Sequence, residues 1–199
     1  NGCSPLMHSP SILDSADAVM LESTYGDRDH RCSEDTLDEL ADILQQAHRD
    51  GCNVLIPAFA VGRTQDLIFH LGRFYQQGRL PQQAVFLDSP MAIRANGIYN
   101  HYIDQFNPQD RALLAGKGIR RIEDWLPVLH CTASPEESMA INRIKSGAII
   151  IAGSGMCTGG RIVHHFKHNI WREECHLVFP GFQAKGTLGR AIVDGASSI

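Results

Sequence analysis

Two stretches late in the chain carry residue types suited to holding a row of phosphates. Gly153-Ser154-Gly155-Met156-Cys157-Thr158-Gly159-Gly160-Arg161 follows the apolar run Ala148-Ile149-Ile150-Ile151-Ala152, and Gly181-Phe182-Gln183-Ala184-Lys185-Gly186-Thr187-Leu188-Gly189-Arg190 follows His176-Leu177-Val178-Phe179-Pro180. Glycines let a backbone approach a ligand closely, hydroxyls donate to phosphate oxygens, and turn amides at a helix start add positive potential. An arginine closes each stretch. This chemistry suits a polyanion with phosphates at intervals, a nucleic-acid backbone. Ser154, Gly155, Met156 and Thr158 are the candidate phosphate contacts of the first loop; Lys185, Gly186, Thr187 and Arg190 are those of the second. A third cation, Arg63 in Gly62-Arg63-Thr64, opens a helix after a strand, where a guanidinium can fork onto a phosphate. An ordinary capping salt bridge explains Arg63 equally well. Neither loop has P-loop or dinucleotide-fingerprint spacing, which disfavours a nucleoside triphosphate or a nicotinamide cofactor.

These residues need a rigid frame, and the hydrophobic pattern supplies one. Short apolar runs at 17–22, 53–59, 84–87, 127–131, 148–152 and 176–180 read as strands. Helical spacing links them: a helix capped at Ser33 and stopped by Gly51, one from Gly62 to about Gly78, one over 93–106, and one capped by Ser134 with Glu137 completing a capping box and ending near Gly147. Two more run over 161–170 and 189–195. Residues 108–125 read as a polar connection with some helix. Strands alternating with helices predict an α/β fold, a doubly wound and mainly parallel sheet flanked by helices. Ligands in such sheets bind beyond the carboxyl ends of the strands.

Composition bounds the rest. The 199 residues are 43% hydrophobic and 20% charged, with a net charge of −4, enough for one sizeable core. Residues 1–142 hold 11 Lys/Arg against 19 Asp/Glu, a net of −8, whereas residues 143–190 hold 7 against 2, a net of +5. The basic section carries both glycine-rich loops, as a local anion site or chance clustering would have it. The six cysteines form no CxxC pair, which argues against structural zinc, and Cys52 and Cys131 read as buried free thiols in a reducing, cytoplasmic protein. No run reaches membrane-span length. The start at Asn1 and the end at Ser197-Ser198-Ile199 predict a fragment of a longer chain.

Five segments together resemble the β-CASP branch of the metallo-β-lactamase superfamily. They are Leu21-Glu22-Ser23-Thr24-Tyr25-Gly26-Asp27-Arg28, Pro57-Ala58-Phe59-Ala60-Val61-Gly62-Arg63-Thr64-Gln65, Leu87-Asp88-Ser89-Pro90-Met91-Ala92, Ser154-Gly155-Met156 and Gly186-Thr187-Leu188-Gly189-Arg190, in the family's order. The resemblance implies a Rossmann-like β-CASP domain over 26–195, with a remnant of a metallo-β-lactamase domain at 1–25 and a tail at 196–199 leading back to it. It implies an RNA-processing nuclease, cleavage-and-polyadenylation-endonuclease-like and of prokaryotic type, whose two zinc ions sit in the other domain. It also implies single-stranded RNA running between the domains, and a homodimer of the parent. The HxHxDH ligand motif is absent, so the piece is expected to hold no metal and to cut nothing alone. Glu22 matches the family's motif A acid, a carboxylate that orients a histidine; an ordinary strand-end carboxylate is its bland alternative. The rival functions are a self-contained Rossmann-like nucleotide- or small-molecule-binding enzyme and a non-catalytic β-CASP partner subunit. His164, His165 and His168 read as surface or interface histidines that, with Lys167 and Arg161, add phosphate contacts; an i, i+4 metal pair is the less favoured reading. His30 matches a recurrent family position without a role. Tyr25, Trp171 and Phe182 read as packing aromatics or base-stacking ones.

Overall fold

In the computed structural model, residues 4–173 and 175–196 are described. Their centre is a five-stranded parallel sheet in the order β3-β2-β4-β1-β5, with β1 Val54–Pro57, β2 Ala84–Asp88, β3 Leu129–Cys131, β4 Ala148–Ala152 and β5 His176–Leu177. β4 lies between β1 and β2, with Val54 opposite Ile149 and Val85 opposite Ile149 from the other side. All five residues of β4 are buried, as a continuous apolar run in the middle of a two-sided sheet must be.

Period-two alternation decides which helices cover which face. Val54, Ile56, Val85, Leu87, Ile149 and Ile151 face α1 (Ser33–Arg49), α2 (Arg63–Gln76) and the start of α3 (Pro90–His101). Leu55, Phe86, Ile150 and Ala152 face α5 (Pro135–Ile141), α6 (Arg161–Asn169) and α7 (Leu188–Val193). The sheet is therefore covered on both sides, as the alternation of elements predicts. A third cluster joins Phe69 of α2 and Trp125 to Leu6, Phe106 and Leu114, the last on α4 (Pro108–Gly116). The indole nitrogen of Trp125 donates to Phe69 O at 2.9 Å. Among the described residues no helix is long and apolar enough to cross a membrane.

Several expectations are corrected. Residues 17–22 form no strand, because nothing pairs with or covers them: Val19, Met20 and Leu21 are exposed, Met20 completely. α1 begins at Ser33 as a first helical residue, and Cys32 occupies the cap position without a side-chain bond. α5 has the expected Ser134–Glu137 capping box but stops at Ile141, not near Gly147. The side chain of Asn53 competes there, donating to Ile144 O at 2.8 Å and accepting from Ala148 N at 3.1 Å, which turns the chain into β4 early. The last strand covers 176–177 only; Val178 N still bonds Leu55 O, after which Pro180 has no amide to donate. Cys52 is buried, but Cys131 is exposed on the edge strand β3. Cys3, Asn1 and the 197–199 end lie outside the described residues.

Candidate nucleic-acid interface

The two glycine-rich loops meet at the carboxyl end of the sheet. Gly189 N donates to Met156 O at 3.2 Å, and Gln183 Nε2 donates to Gly155 O at 2.9 Å and to Gly181 O at 3.3 Å. Gln183 is buried between the loops, and a Cβ on Gly189 would run into its Oε1, so glycine is what allows the close approach. Within the first loop, Ser154 N bonds Gly159 O and Cys157 N bonds Ser154 O. Among the described residues the amides of Gly155, Met156 and Thr158 have no acceptor, nor do those of Lys185 and Gly186. The hydroxyls of Ser154 and Thr158 lie 3.4 Å apart. A cluster of available donors on two joined turns can take anionic oxygens.

The cations are less free than the sequence reading assumes. Arg190 Nε pairs at 2.8 Å with Asp194, which caps the end of α7, and this raises its pKa; desolvation and then Arg28 oppose that shift. Thr187 Oγ1 is occupied in capping α7, accepting from Arg190 N and donating to Ala184 O at 2.6 Å. Arg63 lies 3.6 Å from Asp66 with half its side chain exposed. The Arg190–Asp194 pair is solvent-facing and weak enough for a phosphate to displace, and in the other pair Arg63 is half exposed while Asp66 is largely buried. Burial raises the Asp66 carboxyl to about 6, against the lowering influence of Arg63.

Arg63 is carried by a braced turn. Gly62 N donates to Gln65 Oε1 at 2.7 Å, Gln65 Nε2 donates to Ala60 O and to Asn96 Oδ1, and Thr64 Oγ1 donates to Phe59 O at 2.7 Å. Ala58 N bonds Ala152 O, which fixes this turn beside the first glycine-rich loop.

Beneath the first loop lies a buried charge network that the sequence reading overlooks. Asp88, wholly buried at the end of β2, accepts from Arg161 at 2.6 Å and pairs with His165 Nε2 at 2.7 Å. Ser138 Oγ and Thr132 Oγ1 donate to it at 2.6 and 2.7 Å. Burial pushes the Asp88 carboxyl up, but the bonds from His165, Ser138, Thr132 and Arg161 together hold it well below the usual range. Arg161 also donates to Thr132 O and Ala133 O, tying the start of α6 to the end of β3. Arg161 and His165 therefore face inward, a correction to their reading as surface phosphate contacts; His164, Lys167 and His168 are exposed. The available signals were the four-residue spacing of Arg161 and His165 and the lone acid ending an apolar strand.

Glu22 is exposed on the unpaired segment, where its Oε1 accepts from Thr24 N at 2.6 Å and its pKa falls for that reason. The next turn reaches the second loop, because Tyr25 packs edge-on against Phe182 and His30. Trp171 is largely exposed beyond the far end of α6, away from the loops. Among the described residues no group of three or more His, Cys, Asp or Glu side chains is placed to hold a metal ion. The donors of the described residues do not fit a two-zinc centre. A groove of about 890 Å³ along α1 is lined by Asp35, Asp38, Glu39 and Asp42 together with Arg31 and Arg49, with Glu39 paired to Arg31 and Asp38 to Arg79.

Comparison with known proteins adds to this geometry. Residues 64–192 match the family model of the Beta-Casp domain. The chain is 40% identical over 190 residues to "Ribonuclease TTHA0252" of Thermus thermophilus, covering 94% of this chain and 42% of that protein. It is 29% identical over 196 residues to "RNase J-like protein" of Methanocaldococcus jannaschii, covering 98% and 44%. It is 32% identical over 185 residues to "Transcription termination factor FttA" of the same organism, covering 92% and 28%. The chain thus spans less than half the length of each of these relatives.

Proposed function

The chain belongs to the Beta-Casp domain family, and from that premise we propose that it is the RNA-binding cap of a ribonuclease acting in RNA processing or decay. Relatives named as a ribonuclease and as RNase J-like support the nuclease class. The observation that carries the RNA-binding part is the joining of the two glycine-rich loops into one surface, by Gly189 N to Met156 O and Gln183 to Gly155 O. Donors on both loops can then grip successive phosphates of one strand. Ser154, Thr158, Lys185 and the amides of Gly155, Met156 and Gly186 supply contacts, and Arg190 and Arg63 exchange their carboxylates for phosphate. Thr187 acts through its cap rather than by direct contact.

In this reading residues 1–25 and the chain beyond 195 belong to a metallo-β-lactamase domain of the longer protein, which brings the two zinc ions and the attacking water. Glu22 orients a group of that domain, and this chain alone cuts nothing. The test is fluorescence anisotropy of a labelled single-stranded oligoribonucleotide titrated with the 199-residue chain. Binding should weaken as salt rises, and Arg63→Ala and Arg190→Ala should each weaken it roughly three- to ten-fold at low salt. Salt-independent binding, or variants that bind like the wild type, would overturn the assignment.

A further inference from the structure

Phe59 precedes the turn that carries Arg63 and lies against Gly155 of the first glycine-rich loop, and packing alone leaves it unexplained. It follows β1, its residue surface is 48% exposed, and one edge of the ring lies against Gly155: a Cβ built there would sit 2.7 Å from Phe59 Cδ2. Glycine at 155 therefore leaves room for this ring. The backbone around it is pinned on three sides. Ala58 N bonds Ala152 O, Phe59 O accepts from Thr64 Oγ1, and Ala60 O accepts from Gln65 Nε2. A half-open aromatic ring on a pinned backbone, beside free turn amides, is an arrangement by which proteins stack bases of a single strand while its backbone is held nearby. Arg63 follows Phe59 by four residues, and Ser154 adjoins Gly155 in sequence.

We propose that Phe59 is a stacking platform for one nucleobase, a subsite for the base of a nucleotide whose phosphates are held by Arg63 and by the 153–160 loop. The inference rests on the RNA-binding reading above and adds a base contact to it. The phosphate contacts are indifferent to the base; the ring is not, because stacking needs a π-face. Every base has one, so the subsite favours a base over none without choosing its sequence.

The experiment compares two single strands of equal length and charge, one an oligoribonucleotide and one with abasic ribose at every position, each titrated against the full 199-residue chain. The wild type should prefer the base-bearing strand roughly ten-fold, the gain typical of a base stacked on an aromatic side chain. Phe59→Leu should abolish that preference while leaving abasic-strand affinity and the salt slope unchanged, and Phe59→Tyr should keep it. An unchanged preference in Phe59→Leu would overturn the proposal and leave the ring as a contact for another part of the longer protein. An equal loss for both strands would also overturn it, by making Phe59 a brace for the loops. A wild type that binds neither strand would sink the RNA-binding reading itself, and this subsite with it.

Discussion

Asp66 shows how a single residue couples fold and site. Its carboxyl is mostly buried beneath the first turn of α2, 3.6 Å from Arg63, and burial raises its pKa to about 6. A carboxyl whose pKa rises on folding is penalised in its ionised form. The penalty is absent below the unfolded value of about 3.9, grows between that and about 6, and is full above it. Asp66→Asn should therefore stabilise the chain by about 1–2 kcal/mol at pH 8 and make no difference near pH 4. Urea denaturation at the two pH values measures this. The same change releases Arg63, so RNA affinity at pH 8 should rise. Equal stability of the two proteins at pH 8 would mean that the carboxyl is better solvated than its position indicates. At this scale the sequence was informative about types and silent about partners. Arg63 was legible as a cation at a helix start. Its carboxylate, three residues on in the same turn, is equally visible, but i, i+3 spacing does not disclose depth. Thr187 and Arg190 were legible as loop donors, but their local occupations depend on a cap and an ion pair that only three-dimensional placement resolves.

The elements were read well where local rules govern and poorly where distant contacts do. The capping box at Ser134, the buried run 148–152 and the amphipathic helices after Cys32 and Gly62 follow from neighbours in sequence, and the structure has them. The early end of α5 depends on Asn53, 91 residues from the Ile144 carbonyl it binds, and the missing strand at 17–22 depends on the absence of a pairing edge. The same long reach hides the Asp88 network, which draws on β2, α5, α6 and the residues after β3. These bonds hold the start of α6, and with it the 153–160 loop, against the sheet. Replacing Asp88 by Asn leaves Arg161 and His165 facing an uncharged amide in a dry site. Breaking a buried pair in this way typically costs about 3–5 kcal/mol. Asp88→Asn should lose stability of that order at pH 7 in urea denaturation. The carboxyl is held below its unfolded pKa, so its stabilising contribution is full above about pH 3.9 and fades as pH falls towards the folded value; the gap between the two proteins should narrow accordingly. A loss under about 1 kcal/mol would assign the network little structural weight.

Across the whole molecule, the proposed RNA binding needs a local site rather than a globally basic surface. The net charge is −4, and residues 1–142 carry −8. In that reading the attraction comes from donors where the two loops meet, a junction that the sequence could place only to the extent that a doubly wound sheet gathers its carboxyl-end loops. What it could not give is the lock between them, because a glutamine in a glycine-rich loop looks like any polar turn residue. That lock makes the surface bivalent. An RNA touching one loop gains only that loop's contacts, whereas one spanning both gains the second set as an intramolecular event. Affinity for oligoribonucleotides of increasing length should thus climb from a dinucleotide until both loops are reached and then level off, and each added phosphate contact should steepen the salt dependence by about 0.7. Gln183→Ala removes the bond to Gly155 O while leaving the Gly155 amide and the other proposed phosphate donors in the chain. It should leave the shortest RNAs bound as before and reduce the gain on lengthening roughly three- to ten-fold, since loosened loops lower the effective concentration of the second set. Isothermal titration over such a length series, wild type against Gln183→Ala, reads both quantities. A uniform loss at every length would instead mean that Gln183 supports one loop alone, and the two turns would then have to be treated as separate sites.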